Sequence, residues 1–151
     1  MAIITLNNNS LVNADVGKVL QVVTATDSTQ RSTTSSSYVT ASNTLSISIT
    51  PSSSSNKIFV ICNCSYGQTG EGEQGLGTIF RDSTDLSSAG LMNSISTTGT
   101  IRSPASMSIL DSPNTTSATT YQAYFKTAGG GGLEINKNGA KGTITAFEIA
   151  G

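Results

Sequence analysis

Lys57-Ile58-Phe59-Val60-Ile61-Cys62-Asn63-Cys64 is the most apolar stretch of the chain, and its reading decides the fold. The continuous apolar part, Ile58 to Cys62, is only five residues long. A helix core needs more, and a membrane span needs roughly twenty. A short β-branched and aromatic run of this kind is a strand covered on both faces, hence central in its sheet. Phe59 and Ile61 are expected in the core. Strict alternation puts Cys62 and Cys64 on the Ile58 and Val60 face, where they read as two free thiols. A bridge between residues two apart on one strand would distort it.

The same period of two recurs to either side. Leu45-Ser46-Ile47-Ser48-Ile49 alternates until Pro51 and four serines end it, and Tyr121, Ala123 and Phe125 share one face of Tyr121 to Lys126. Weaker strands are read over Val19–Thr24, Tyr38–Thr40, Gly77–Arg81, Leu91–Ile95, Ser106–Leu110, Leu133–Asn136 and Thr143–Ile149. No window carries an i, i+3, i+4 apolar stripe with a cap, so no helix is expected. Short strands separated by polar turns in 151 residues indicate one all-β domain. We expect an antiparallel two-sheet β-sandwich, jelly-roll-like, over residues 17–151, with a short Asn-rich N-terminal arm over residues 1–16. Ile47, Ile49, Phe125 and Ile144 are expected to join Phe59 and Ile61 between sheets packed about 10 Å apart.

Composition narrows the function classes. The chain holds 24 Ser and 22 Thr, and 36% of it is hydrophobic. Thr suits the solvent face of a strand and Ser suits turns, so this excess solubilises the surface without charge. Only 11% of residues are charged and the net charge is −1, which leaves no basic field for nucleic acid or an anionic membrane. The total absence of His removes the usual general base and the commonest zinc ligand. The N-terminus, Met1-Ala2-Ile3-Ile4-Thr5-Leu6-Asn7, has no basic segment followed by a long apolar core, so synthesis in a cytoplasm without processing is expected.

Individual motifs have bland readings. Gly70-Glu71-Gly72-Glu73-Gln74-Gly75 spells a dinucleotide fingerprint. Two carboxylates inside the loop would repel phosphate, and the following Gly77-Thr78-Ile79-Phe80 reads as a strand where the fingerprint needs a helix. Glu71, Glu73, Asp82 and Asp85 have neither the spacing of a calcium loop nor the apolar pocket of a glycosidase acid, and read as solvated charges. Three glycosylation sequons, at Asn8, Asn63 and Asn114, mean nothing without a signal peptide. Tyr38, Tyr66, Tyr121 and Tyr124 are the residues suited to stacking on a sugar, with Tyr121 assigned to the core. No catalytic, metal-binding or cofactor-binding residue is expected, and no cofactor.

Several segments together resemble a known family. They are Gly17 to Val23, Leu45 to Ile58, Leu110 to Tyr121 and the closing Ile144-Thr145-Ala146-Phe147-Glu148-Ile149. In order and spacing they are similar to small virion structural and tail-fibre modules of marine tailed bacteriophages, the cyanophages. The resemblance implies a β-sandwich without catalytic residues. It points to a non-enzymatic bacteriophage virion protein, a small capsid-surface decoration or knob made in the host bacterial cytoplasm. The alternative is a tail-fibre or spike tip that binds the host surface, including its glycans.

Assembly is the last expectation. The closing strand is apolar on both faces, with Ile144 and Ala146 pointing one way and Phe147 and Ile149 the other. A sandwich covers only one face of each strand, so the second set needs a partner. The simplest cover is a neighbouring copy, and the resemblance implies three of them, so we expect a homo-trimer whose interface draws on Ile144, Phe147 and Ile149. Ile3, Ile4 and Leu6 of the arm are expected to anchor it to the particle, on a major capsid protein or another virion protein. Neither nucleic acid nor membrane is expected as a partner.

Overall fold

The computed structural model describes residues 17–69, 74–86, 90–92, 100–128 and 131–151. The N-terminal arm, with Ile3, Ile4 and Leu6, lies outside the described residues, as do Glu71 and Glu73. Among the described residues eleven strands occur, in the order β1 (Val19–Asp27), β2 (Arg31–Thr33), β3 (Ser46–Ile49), β4 (Lys57–Thr69), β5 (Gln74–Arg81), β6 (Thr84–Asp85), β7 (Gly90–Met92), β8 (Thr100–Asp111), β9 (Thr119–Ala128), β10 (Gly132–Ile135) and β11 (Gly142–Ile149). The single helical turn among the described residues is a 3-10 turn, Lys137–Gly139.

The strands form two antiparallel sheets. One runs β1-β11-β4-β10-β2 with β8 on the free flank of β4, and the other runs β3-β9-β5-β6 with β7 also on β5. Long β4 organises the first sheet. Its first half pairs with β11, from Lys57 opposite Ile149 to Asn63 opposite Thr143. Its second half pairs with β10, from Tyr66 opposite Ile135 to Thr69 opposite Gly132. β10 and β11 are therefore one strand interrupted by a kink, and β1 and β2 follow the same course outside it. Of the eleven strands, the collinear pairs β1/β2, β6/β7 and β10/β11 each count once, leaving eight. One sheet then orders first, eighth, third, sixth, and the other second, seventh, fourth, fifth. This is the jelly roll, in two Greek keys.

The kink has local causes. Asn136 and Asn138 take left-handed backbone, φ 52° and 58°, which Asn tolerates better than most residues. Asn136 N donates to Ser65 O at 2.8 Å, and Asn138 N donates to Gln30 Oε1 at 3.1 Å. A Cβ at Gly142 would lie 2.6 Å from Asn136 Oδ1 and 3.1 Å from Leu45 Cδ1, so a larger residue where the strand resumes must displace two buried side chains.

Between the sheets, Leu45, Ile47 and Ile49 from β3 and its approach meet Ile58, Val60, Cys62 and Cys64 from β4. Ile79, Met107, Tyr121, Phe125, Leu133 and Ile144 complete the core. Ile47, Ile49, Phe125 and Ile144 thus lie where the sequence placed them. Phe59 and Ile61 do not: they stand half-buried on the outer face of β4. A run apolar at every position carries no alternation of its own. Its parity is set beyond the run, where Asn63 is exposed and Cys64 is buried. Core positions for Phe59 and for both thiols are incompatible on a regular strand, and the thiols took the inner face. Both cysteines are free and buried. Burial pushes the Cys62 thiol up strongly, with the Cys64 thiol adding to the shift, and pushes Cys64 up to about 12.

A candidate assembly face

The outer face of the first sheet carries an apolar row that no single strand reveals. Val22 on β1 lies opposite Phe147 on β11, Phe147 opposite Phe59 on β4, and Phe59 opposite Leu110 on β8. The row crosses the sheet from one free edge to the other. The two phenylalanine rings are 6.3 Å apart between centroids and tilted by 33°. Among the described residues, the exposed large hydrophobic side chains are Val19, Leu20, Val22 and Leu110, at 52, 42, 55 and 51%. All four lie at the same end of this one sheet, three at its β1 edge and Leu110 at its β8 edge. Patches of this kind on soluble proteins mark contact surfaces.

The neighbouring rows carry little charge. Val19, Ile149 and Lys57 form the row nearest the sheet end, while Thr24, Thr145, Ile61 and Ser108 form the row on the other side. Thr26, Thr143, Asn63 and Ser106 come next. Across these four rows Lys57 is the one charged side chain. Thr24 Oγ1 and Thr145 Oγ1 share a hydrogen bond at 3.0 Å, so part of the hydroxyl excess satisfies itself on the sheet surface.

Ile144 belongs elsewhere. It is fully buried in the core, opposite Cys62, and cannot contribute to an interface. The expectation joined it to Phe147 and Ile149, whereas the pleat separates it from them. Phe147 and Ile149 face outward and are only half-buried.

Directly behind the apolar row is a polar one, facing the sandwich interior: Gln21, Glu148, Ile58 and Asp111. Glu148 is 1% exposed. Its Oε1 accepts from Ser52 N at 2.6 Å, Ser52 Oγ at 2.7 Å and Asn56 Nδ2 at 2.6 Å, and its Oε2 accepts from Gln21 Nε2 at 2.6 Å. Burial opposes the charge, but the donors of Asn56, Gln21 and Ser52 outweigh it and hold the carboxyl down at about 2. The donors come from β1 and from the loop before β4, so the carboxylate ties the sheet edge to that loop. Asp111 makes a second clamp. Arg81 Nη1 lies 2.9 Å from each of its oxygens and Tyr121 Oη donates at 2.7 Å, joining β8 of one sheet to β5 and β9 of the other. Sequence reasoning singled out none of Gln21, Ser52, Asn56, Glu148, Arg81 and Asp111. A usable signal existed for Glu148, which shares its parity on β11 with Ile144 and Ala146.

The other candidate sites disperse. Residues 70–73 lie outside the described residues, and the chain then runs into strand β5 rather than a helix. Asp82 accepts from Thr120 N at 3.0 Å and Asp85 from Thr78 Oγ1 at 2.7 Å, so both serve the local backbone and strand surface. Tyr121 and Tyr66 are buried, leaving Tyr38 and Tyr124 on the outer face of the second sheet. There Phe80 stacks on Tyr124 at 4.0 Å, and Lys126 Nζ lies 4.4 Å from the Tyr38 ring centroid. These rings satisfy one another. Among the described residues no group of three His, Cys, Asp or Glu could hold a metal ion.

No family model matches the chain. No curated protein matches it. Solved structures do. The VP2 subviral particle of infectious bursal disease virus aligns over 99% of this chain and 42% of its own, with 20% identity and a TM-score of 0.50. A Gx strain structure of that virus aligns over 99% and 42%, with 17% identity and a TM-score of 0.49. The chain therefore spans less than half the length of the structures it matches. The likeness overturns the resemblance to cyanophage tail-fibre modules. The segments that suggested it are β1, β3 with the turn into β4, the β8–β9 turn, and β11; the two turns are Ser/Thr-rich, as solvated turns are in general, and the two strands are short apolar-patterned runs. What the chain shares with VP2 is a fold, the jelly-roll sandwich.

Proposed function

We propose that this chain is a non-enzymatic structural protein of a viral capsid, a small decoration or knob on the particle surface that assembles as a homo-trimer. The observation that carries the reading is the collection of exposed large hydrophobic residues on one outer sheet face, on a fold shared with a particle-forming protein. A monomeric sandwich has no use for that face, and closed rings of identical subunits are the common way to cover one. Phe147 and Ile149 belong to this interface, near the C-terminal end of the chain. The arm, through Ile3, Ile4 and Leu6, grips the underlying capsid protein.

Two measurements test the reading. Light scattering at micromolar concentration should give a trimer mass, and a clean monomer near 15.5 kDa removes the assembly. Antibody against this chain should label the particle shell in electron micrographs, and an unlabelled shell removes the location.

A further inference from the structure

We infer that the two free edges of the apolar row meet in trans, so that Leu110 of one copy packs against Val19, Leu20 and Val22 of the next. This rests on the reading of the chain as self-assembling and names the contact. The row does not expose itself evenly. Its middle, Phe147 and Phe59, is half-buried, whereas its two ends, Val22 and Leu110, are half-exposed. They stand on β1 and β8, the edges of the sheet among the described residues. A contact between two different patches of one chain is heterologous, and heterologous contacts close into rings when the rotation allows.

The occupant is a second copy on grounds of charge. Four rows of this face carry a single charged side chain, Lys57, two strands away from Val19 in the row that they share. A charged partner would find no complement there, while two copies meet without like-charge repulsion.

Cysteine pairs test the contact without ambiguity of route. Within one chain, Val22 and Leu110 are three strand spacings apart, about 14 Å at roughly 4.8 Å each, and a disulfide needs Cα atoms about 4.4–6.8 Å apart. Any bond between them is therefore intermolecular. The native Cys62 and Cys64 are buried and stay out of the reaction. Under mild oxidation, the double variant Val22→Cys/Leu110→Cys should run on a non-reducing gel as covalent dimers and closed trimers. Neither single variant should cross-link, and an equimolar mixture of the two should give dimers only. A trimeric double variant that fails to cross-link overturns the contact and leaves the proposed function standing. Single variants that dimerise point to a two-fold contact and also overturn it. A wild-type monomer in light scattering overturns the proposed function itself. Leu110→Arg supplies an independent arm, because it should abolish the trimer while leaving the β-sheet circular dichroism spectrum of the subunit unchanged. A persistent Leu110→Arg trimer counts against the contact.

Discussion

Asn56 Nδ2 donates to Glu148 Oε1 at 2.6 Å across 92 residues of chain, and both residues are buried. The bond closes the end of the sandwich just behind the apolar row. It connects the loop after Pro51 to the last strand, while Gln21 ties the same carboxylate to β1 and Gly151 N donates to Asn56 Oδ1 at 3.2 Å. The donors from Gln21, Ser52 and Asn56 are neutral, so dipoles stabilise the charge of the carboxylate.

Removing that carboxylate takes an acceptor from each of its donors. Glu148→Ala leaves Asn56 Nδ2 with Ser52 Oγ alone, at 3.1 Å, and Gln21 Nε2 with Thr50 O alone, at 2.8 Å, and removes the acceptor that the Ser52 amide and hydroxyl share; the cost is on the order of 3 kcal/mol. Asn56→Ala deletes one donor and one acceptor and should cost about 1–3 kcal/mol. Urea unfolding of the two variants against wild type measures both. A Glu148→Ala protein as stable as wild type would show the cluster to be energetically idle.

Acid should release the same latch. The folded carboxyl of Glu148 titrates near 2 against an ordinary value of 4.5, so between those values the unfolded chain binds more protons than the folded one. Stability from this group is fully present above about 4.5 and is lost as pH falls through about 2. Asp27 acts in the same direction. Burial opposes its charge, but the amides of Thr44 and Thr29 and the Arg31 guanidinium hold its carboxyl below the usual range. Wild type should lose denaturation free energy steadily on acidification through this window, and Glu148→Gln should flatten the slope. An unchanged slope in Glu148→Gln assigns the acid sensitivity elsewhere.

The thiols should be inert until the protein unfolds. Cys62 and Cys64 are buried among Ile58, Val60 and Met107, and a thiol held well above its ordinary range presents almost no thiolate at neutral pH. An aromatic disulfide reagent should react with neither in minutes under native conditions and with both at once in concentrated urea. Cys62→Ala should cost about 1 kcal/mol through lost packing. Rapid native labelling would place the thiols outside the core.

Much of the fold was legible in particular residues. Leu45 to Ile49 alternates between apolar and polar side chains, Tyr121, Ala123 and Phe125 share one face, and the structure keeps both parities. β4 could be located but not oriented, because Ile58 to Cys62 offers the same chemistry to both faces. β8 extends well beyond the expected Ser106–Leu110. Pro104 discourages a strand there, yet β8 is an edge, where a missing N–H costs little. The expected strand at Tyr38–Thr40 is reduced to a single bridge between Val39 and Phe125. The assembly face was half-visible. Phe147 and Ile149 announced themselves by lying opposite Ile144, but Val22 and Leu110 join them only through pairing between strands that are distant in sequence. The two polar clamps were invisible for the same reason, since Gln21, Asn56 and Glu148 acquire a common purpose only when three elements converge.

The two faces of β11 give the sharpest test of that convergence. Ile144 and Phe147 are three residues apart, one fully buried in the core and the other outward in the apolar row. Ile144→Asp places an unpaired carboxylate between the sheets, where no donor waits for it, and the subunit should fail to fold or lose at least about 3 kcal/mol. Phe147→Asp places the same charge on the outer face, where water reaches it in the monomer. The subunit should keep its sheet signature and most of its stability. Its association should weaken by at least about a hundredfold. Burying a phenylalanine ring is worth about 1.5–3 kcal/mol, and the new carboxylate must also be desolvated. Circular dichroism and light scattering on the same samples separate the outcomes. A Phe147→Asp protein that stays trimeric removes the ring from the interface, and an Ile144→Asp protein that folds as wild type would reverse the parity of the closing strand.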